Sequence, residues 1–162
     1  MTTIITVYGR PAPQGSKKAF RHRATGKIIT QEMSKYVRPW RAEVQRAAQA
    51  ALLTRYDQGR FPLVGPLAVD MIFTLARPKS HYRTGRNAHL LRDSAPARPT
   101  GAPDLSKLAR ATEDALTEAG VWKDDAAVVE YRRLAKVYPG SDPDALDQPG
   151  VLIRIHLLET TP

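Results

Sequence analysis

Residues Leu67–Leu75 (LAVDMIFTL) alternate only imperfectly between apolar and polar, which reads as a strand buried on both faces. Such a strand needs a sheet around it and cover for that sheet. Three further segments read as strands: Thr3–Tyr8 (TIITVY), ended by Gly9-Arg10-Pro11, Ala127–Val137 (AVVEYRRLAKV), and Val151–Leu158 (VLIRIHLL). In the last of these, Arg154 and His156 alternate with apolar neighbours. Two helices supply the cover. From Lys35 to about Arg55, Val37, Trp40, Val44, Ala47, Ala48 and Ala51 recur on one face, with Ser34 as N-cap. The second helix runs from Leu105 to about Ala119, between Asp104 as N-cap and Gly120 as C′ residue. Its apolar residues fall within an arc of about 120°, and Ser106, Lys107, Arg110, Glu113, Asp114 and Glu118 take the opposite face. Trp40 and Trp122 read as core, and Pro139–Gly150 as a turn or loop. The expectation is one α+β domain over residues 1–162, two helices packed on one face of a small mixed sheet.

Between these elements lie two basic stretches. Gly9 to Ser34 carries Lys17, Lys18, Arg21, Arg23 and Lys27 with no acid among them, and a Thr25-Gly26 turn suggests a short hairpin. Its GRPAPQG run lacks the Lys-Ser/Thr ending of a phosphate loop, so no nucleotide site follows. Residues 76–103 carry Arg77, Lys79, Arg83, Arg86, Arg92 and Arg98 against Asp93 alone, without a clear period, and read as a flexible basic loop or a linker. The whole chain has 25 Lys and Arg against 16 Asp and Glu, a net charge of +9, and meets a polyanion, with nucleic acid the commonest. Tyr8, Phe20 and Tyr82 beside basic groups are either stacking platforms for bases or packing residues. The absence of cysteine excludes disulfides, thiolate zinc sites and cysteine nucleophiles, and none of the four histidines pair at a helical metal spacing. No secretory signal or membrane-length apolar run is present, so the expected location is the cytoplasm, with no membrane partner.

Acids clustered in so basic a chain need explaining. Asp104 precedes the second helix and Asp124-Asp125 follow it. A helix of about 15 residues spans roughly 22 Å, so these acids meet only if the chain doubles back or a partner subunit brings them together. If they meet, they make an oxygen site for Mg²⁺ in a positive setting, the logic of a metal-dependent nuclease. Otherwise Asp104 is only an N-cap and Asp124-Asp125 only a turn.

The run Pro103–Pro139, PDLSKLARATEDALTEAGVWKDDAAVVEYRRLAKVYP, resembles the signature block of the RusA family of Holliday junction resolvases. That block holds an Asp-Leu-Asp-Asn motif, a helix ending in Asp-Ala-Leu, an Ala-Gly-x-Trp turn, then Asp-Asp-x-x-Val-Val and a strand. The opening, an early strand followed by Gly-x-Pro-x-Pro-x-Gly and a basic stretch, is also similar, as is the later YVRPWR (Tyr36–Arg41). The resemblance implies a homodimeric, Mg²⁺-dependent endonuclease (Mn²⁺ as substitute) that binds four-way DNA junctions and nicks two opposed strands, in a family common in phages and prophages. It implies no nucleotide cofactor. By position, Asp104 and Asp125 match metal-binding aspartates, with Asp124 beside them, and Asp114 matches a structural one. Arg110 matches the catalytic lysine. DNA contacts are expected from Lys17, Lys18, Arg21, Arg23, Lys107, Arg83 and Arg86.

Two departures stand out. Ser106 replaces the second motif aspartate, and Lys107 the following asparagine. A hydroxyl is a poor Mg²⁺ ligand beside a carboxylate. Arg110 keeps the positive charge but does not deprotonate, which suits a transition-state stabiliser better than a base. Three readings of Ser106 stay open. Asp104, Asp125 and Asp124 suffice, with Ser106 holding a metal-bound water; or another carboxylate such as Glu113 takes over; or the protein binds junctions without cutting them. Retained activity is preferred because both flanking aspartates are present.

Overall fold

The computed structural model describes residues 1–15, 17–32, 35–54 and 60–159, with backbone alone for 17–20 and 29–32. The strands are β1 (Thr2–Tyr8), β2 (Lys17–Arg21), β3 (Ile28–Glu32), β4 (Leu67–Thr74), β5 (Val128–Val137) and β6 (Gly150–Leu157). The helices are α1 (Val37–Leu53) and α2 (Leu105–Glu118). Four strands form one mixed sheet in the order β1-β6-β4-β5, in which only the β4–β5 pair is parallel. The expected α+β class stands, and the suggested hairpin is β2–β3, turned at Gly26 with φ of +65°. Helix α1 begins at Val37 with Tyr36 at its N-cap, two residues later than the pattern suggests, and Ser34 lies outside the described residues.

Strand β4 is buried at all eight positions, as its sequence implies. Leu67, Val69, Met71 and Phe73 face the helices and join Val151, Ile153 and Ile155 of β6 and Ile5 and Val7 of β1 in one core. Trp40 of α1 closes that core, and its indole N–H donates to the Thr112 hydroxyl of α2 at 3.2 Å. Helix α2 ends as its sequence predicts. Gly120 takes φ of +81°, Val121 N–H reaches Leu116 O at 3.1 Å, and Gly120 N–H reaches Thr117 O at 3.0 Å.

The opposite face of β4 carries Asp70, and a buried carboxylate must find partners. Register places Arg133 of β5 and Arg154 of β6 on either side of it. Arg154 stands 3.7 Å from Asp70, and His156 Nε2 lies 3.4 Å from the same carboxylate. Arg154 also pairs with Asp144, and Arg133 pairs with Asp144 and Asp142. These acids bring the segment 138–149 over the sheet, where the Leu146 N–H donates to the buried Thr74 hydroxyl at 2.8 Å. Gly150 starts β6 where a Cβ would stand 2.1 Å from the Val7 carbonyl oxygen, so no larger residue fits that crossing.

The loop 76–103 lacks a repeating period yet carries its own framework. Tyr82 and Leu91 form a bridge, and Arg83 N–H and Arg92 N–H reach Leu90 O and His81 O at 2.8 and 2.9 Å.

The guanidinium of Arg133 holds the Asp142 carboxyl below the usual carboxylate range, and that of Arg154 does the same to Asp144. Depressed folded values mean that this stabilisation is complete above the ordinary carboxylate range and is lost as pH falls through the folded values. Asp144→Asn is expected to cost about 1–3 kcal/mol at pH 7. In thermal melts from pH 7 to 3 its deficit against the wild type should narrow on acidification; a constant deficit would show that the charge of Asp144 does not hold the segment.

Candidate active site at the helix–strand pair

Helix α2 and strand β5 lie side by side and run in opposite directions. Near one end Lys136 Nζ donates to the carbonyls of Gly101 and Pro103 at 2.8 and 2.9 Å, and near the other the Tyr131 hydroxyl donates to the Glu113 carboxylate. Five residues of strand separate these contacts, about 16 Å at 3.3 Å per residue. The acids are distributed along this pair. Asp104 sits at the start of α2, beside the end of β5. Asp125 opens a single 3-10 turn, Asp125–Ala127, that leads into the start of β5, near Glu113.

The doubling back therefore brings Asp125 to the C-terminal half of α2 and leaves Asp104 at the other end. Asp104 occupies the expected N-cap position but makes no side-chain cap hydrogen bond. Its carboxylate turns outward, 60 % exposed, and pairs with Lys107 at 3.1 Å. Asp124 serves the turn, its Oδ1 accepting the Ala126 N–H at 2.8 Å. Asp114 lies 3.8 Å from Arg41 of α1, in keeping with a structural role. Ser106 and Arg110 are exposed on α2, and no ion pair among the described residues engages Arg110.

Glu113 departs from expectation. The helical pattern places it on the solvent face, yet it is only 8 % exposed, because β5 lies along that flank and sets Tyr131 over it. Burial pushes its carboxyl above the ordinary range, with Asp125 and Asp114 adding to the shift, while the Tyr131 hydrogen bond opposes it. Burial and the Glu113 charge likewise push the Tyr131 phenol upward. Nothing local in the sequence marks this pair, since it depends on which strand comes to lie beside α2.

No three His, Asp or Glu side chains among the described residues converge closely enough to hold a metal ion. Of the expected DNA contacts, Arg21, Arg23 and Arg86 are exposed. Arg83 is also exposed, but it donates to Leu91 O at 3.2 Å and pairs with Asp93 at 3.1 Å. Lys107 is half exposed beside Asp104. The side chains of Lys17 and Lys18 lie outside the described residues, although their backbone forms β2.

The family model for endodeoxyribonuclease RusA matches residues 9–156. No curated protein matches the chain.

The upward shift at Glu113 means that the folded state prefers the neutral carboxyl, so ionisation at higher pH weakens the fold and acidification towards the ordinary carboxylate value restores it. Glu113→Gln keeps an acceptor for Tyr131 and removes the charge. Its Tm should exceed that of the wild type at pH 8 and approach it as pH falls towards 4; a lower Tm throughout would mean that the carboxylate itself holds Tyr131 in place.

Proposed function

Because the chain belongs to the RusA endodeoxyribonuclease family, whose members are Holliday junction nucleases, we propose that it binds four-way DNA junctions as a homodimer and nicks two opposed strands. The observation that carries this reading is the outward-turned Asp104, an uncapped helix-start carboxylate in the stretch that matches the family. Two copies related by a twofold axis match the near-twofold symmetry of an open junction.

RusA resolvases are generally divalent-metal dependent, and Mg²⁺, or Mn²⁺ in its place, is the cation assigned here. Asp104 and Asp125 stand at opposite ends of the α2–β5 pair, so the reading places Asp104 of one copy against Asp125, with Asp124, of the other. Strand β5 is a sheet edge with Val129 and Tyr131 exposed beside Asp125, which suits contact with a second copy. The bound cation would polarise the scissile phosphate and lower the pKa of an attacking water. Arg110, permanently charged and exposed on α2, steadies the negative charge that develops on the phosphate. Arg21, Arg23 and Arg86 hold the backbone of the arms.

Lys107 supports a second reading, a junction binder that does not cut. It stands where the family motif has asparagine, and at 3.1 Å its ammonium neutralises the carboxylate that a cation would need. Ser106 withholds a further ligand. In this reading the DNA-binding surface is unchanged and only cleavage is lost.

One mixing experiment separates the arrangements. Asp104→Asn and Asp125→Asn chains are expected to be inactive alone, with cleavage down at least about 100-fold, as when a preorganised charge-stabilising group is removed. If the site forms between copies, their mixed dimer holds one intact site and nicks a single strand of a labelled junction in Mg²⁺. If each site lies within one chain, the mixture stays inactive. Tight junction binding without nicks in wild-type protein, with cleavage gained in Ser106→Asp or Lys107→Asn, establishes the second reading instead.

Binding itself should fall steeply with salt. Arg21→Ala and Arg23→Ala are each expected to flatten the slope of log K against log[salt] by about one, with affinity lost evenly across junction sequences. An unchanged slope would remove the hairpin from the interface.

A further inference from the structure

A cavity of about 820 Å³ opens where the chain leaves β1, β4 and β5, and its wall includes Pro103, the residue before Asp104. It lies outside the carboxyl ends of the two parallel strands, the position where open α/β sheets commonly bind ligands, and its size suits a small organic group. The walls are largely proline and aromatic, with Tyr36, His81 and Tyr138 among the lining residues. Each ring is tied to a second group. The Arg10 guanidinium lies over Tyr36 at 3.8 Å, the Arg77 guanidinium over Tyr138 at 4.2 Å, and His81 meets Tyr138 edge-on at 5.5 Å. Flat rings capped by guanidinium planes, in a proline-walled recess, favour a flat aromatic guest whose attached group is anionic.

We propose that this cavity takes an unstacked nucleobase of the junction strand whose phosphate lies at the start of α2. The proposal rests on the endonuclease reading above and adds to it a second element of recognition. The backbone contacts position the arms, and the cavity holds open one nucleotide next to the point of cleavage. Unstacking costs least where pairing is already interrupted, as at a branch point, so the cavity rewards a junction over a continuous duplex. Charge agrees with this occupant, because Arg10 at the cavity and Lys35 beside Tyr36 (5.0 Å from its ring) draw the phosphates on either side of the inserted base. A base seated there also orders the strand against Asp104, which the exposed carboxylate cannot do alone.

The test places 5-iododeoxyuridine at successive positions flanking the crossover of a four-way junction, and in a single-stranded oligonucleotide, irradiates each complex and maps the crosslinked peptides by mass spectrometry. The expected result is a crosslink at Tyr36, His81 or Tyr138 from one or two positions near the branch. Tyr36→Ala and Arg10→Ala, checked for unchanged melting, should weaken junction binding by about 5- to 150-fold, the range found for single base–aromatic contacts, while duplex binding changes less. If junctions bind but every crosslink maps elsewhere and both variants bind as wild type, the cavity assignment is overturned and the nuclease reading stands. If the single strand crosslinks in the cavity but the junction has no preference over duplex, the cavity assignment holds and the junction reading falls. If neither DNA binds, both are overturned.

Discussion

A carboxylate in the middle of a fully buried strand is the constraint from which much of this structure follows. Asp70 sits in β4 with seven neighbours that face either the helical core or the opposite cover. A buried carboxylate there needs partners, and Arg154 and His156 of β6 supply them at 3.7 and 3.4 Å, while the register sets Arg133 of β5 on its other side. Two arginines for one aspartate leave positive charge unmatched on that face, and Asp142 and Asp144 answer it from the segment 138–149. The loop that covers the sheet is thus tied to it by these ion pairs. It leaves the helical face free to form the core and fixes the strand ends around the cavity beside Asp104.

The parallel pairing of β4 and β5 has a second consequence. Parallel neighbours need a crossover, and here the crossover is the basic loop followed by α2. A helix returning from the end of β4 to the start of β5 necessarily runs against both strands. Its N-terminus then lies at the carboxyl ends of the strands and its C-terminus at their beginnings. Asp104 and Asp125 are therefore carried at opposite ends of this helix–strand pair. The polar groups along this pair divide accordingly into Asp104, Ser106 and Lys107 at one end and Glu113 of the helix with Asp125 of the following turn at the other.

Much of this was legible in the sequence where the signal was local. The buried strand, the two amphipathic helices, the Gly120 terminus and the core roles of Trp40 and Trp122 each follow from periodicity or a single backbone requirement. The signature block from Pro103 to Pro139 carried the family, and the matched span 9–156 agrees with it. Pairwise facts between distant segments stayed hidden. Glu113 reads as a solvent-facing acid until β5 is laid beside α2, and the alternation of Arg154 and His156 with apolar neighbours does not reveal that Asp70 is the partner of both. Asp104 was recognisable as an N-cap by position, yet only the structure shows its carboxylate turned away from the helix.

Net charge illustrates the same limit on the basic side. A surplus of +9 points to a polyanion, but the surplus is not all available to one. In the loop 76–103, Arg77 lies on Tyr138 and bonds Pro96 O at 2.9 Å, Arg83 pairs with Asp93, and Arg92 donates to Tyr82 O at 2.8 Å. Those three guanidinium groups bond within the loop, Arg83 and Arg92 from exposed positions, and Lys79, Arg86 and Arg98 are exposed on it without such bonds among the described residues. The loop therefore has two tasks that compete for one residue type. Arginine suits both, because its planar fork bonds carbonyl oxygens as readily as phosphates and its face stacks on rings. A stretch that reads as a plain basic tether is thereby organised into one wall of a cavity, and the positive groups left over are carried on a framework next to the helix start that carries Asp104.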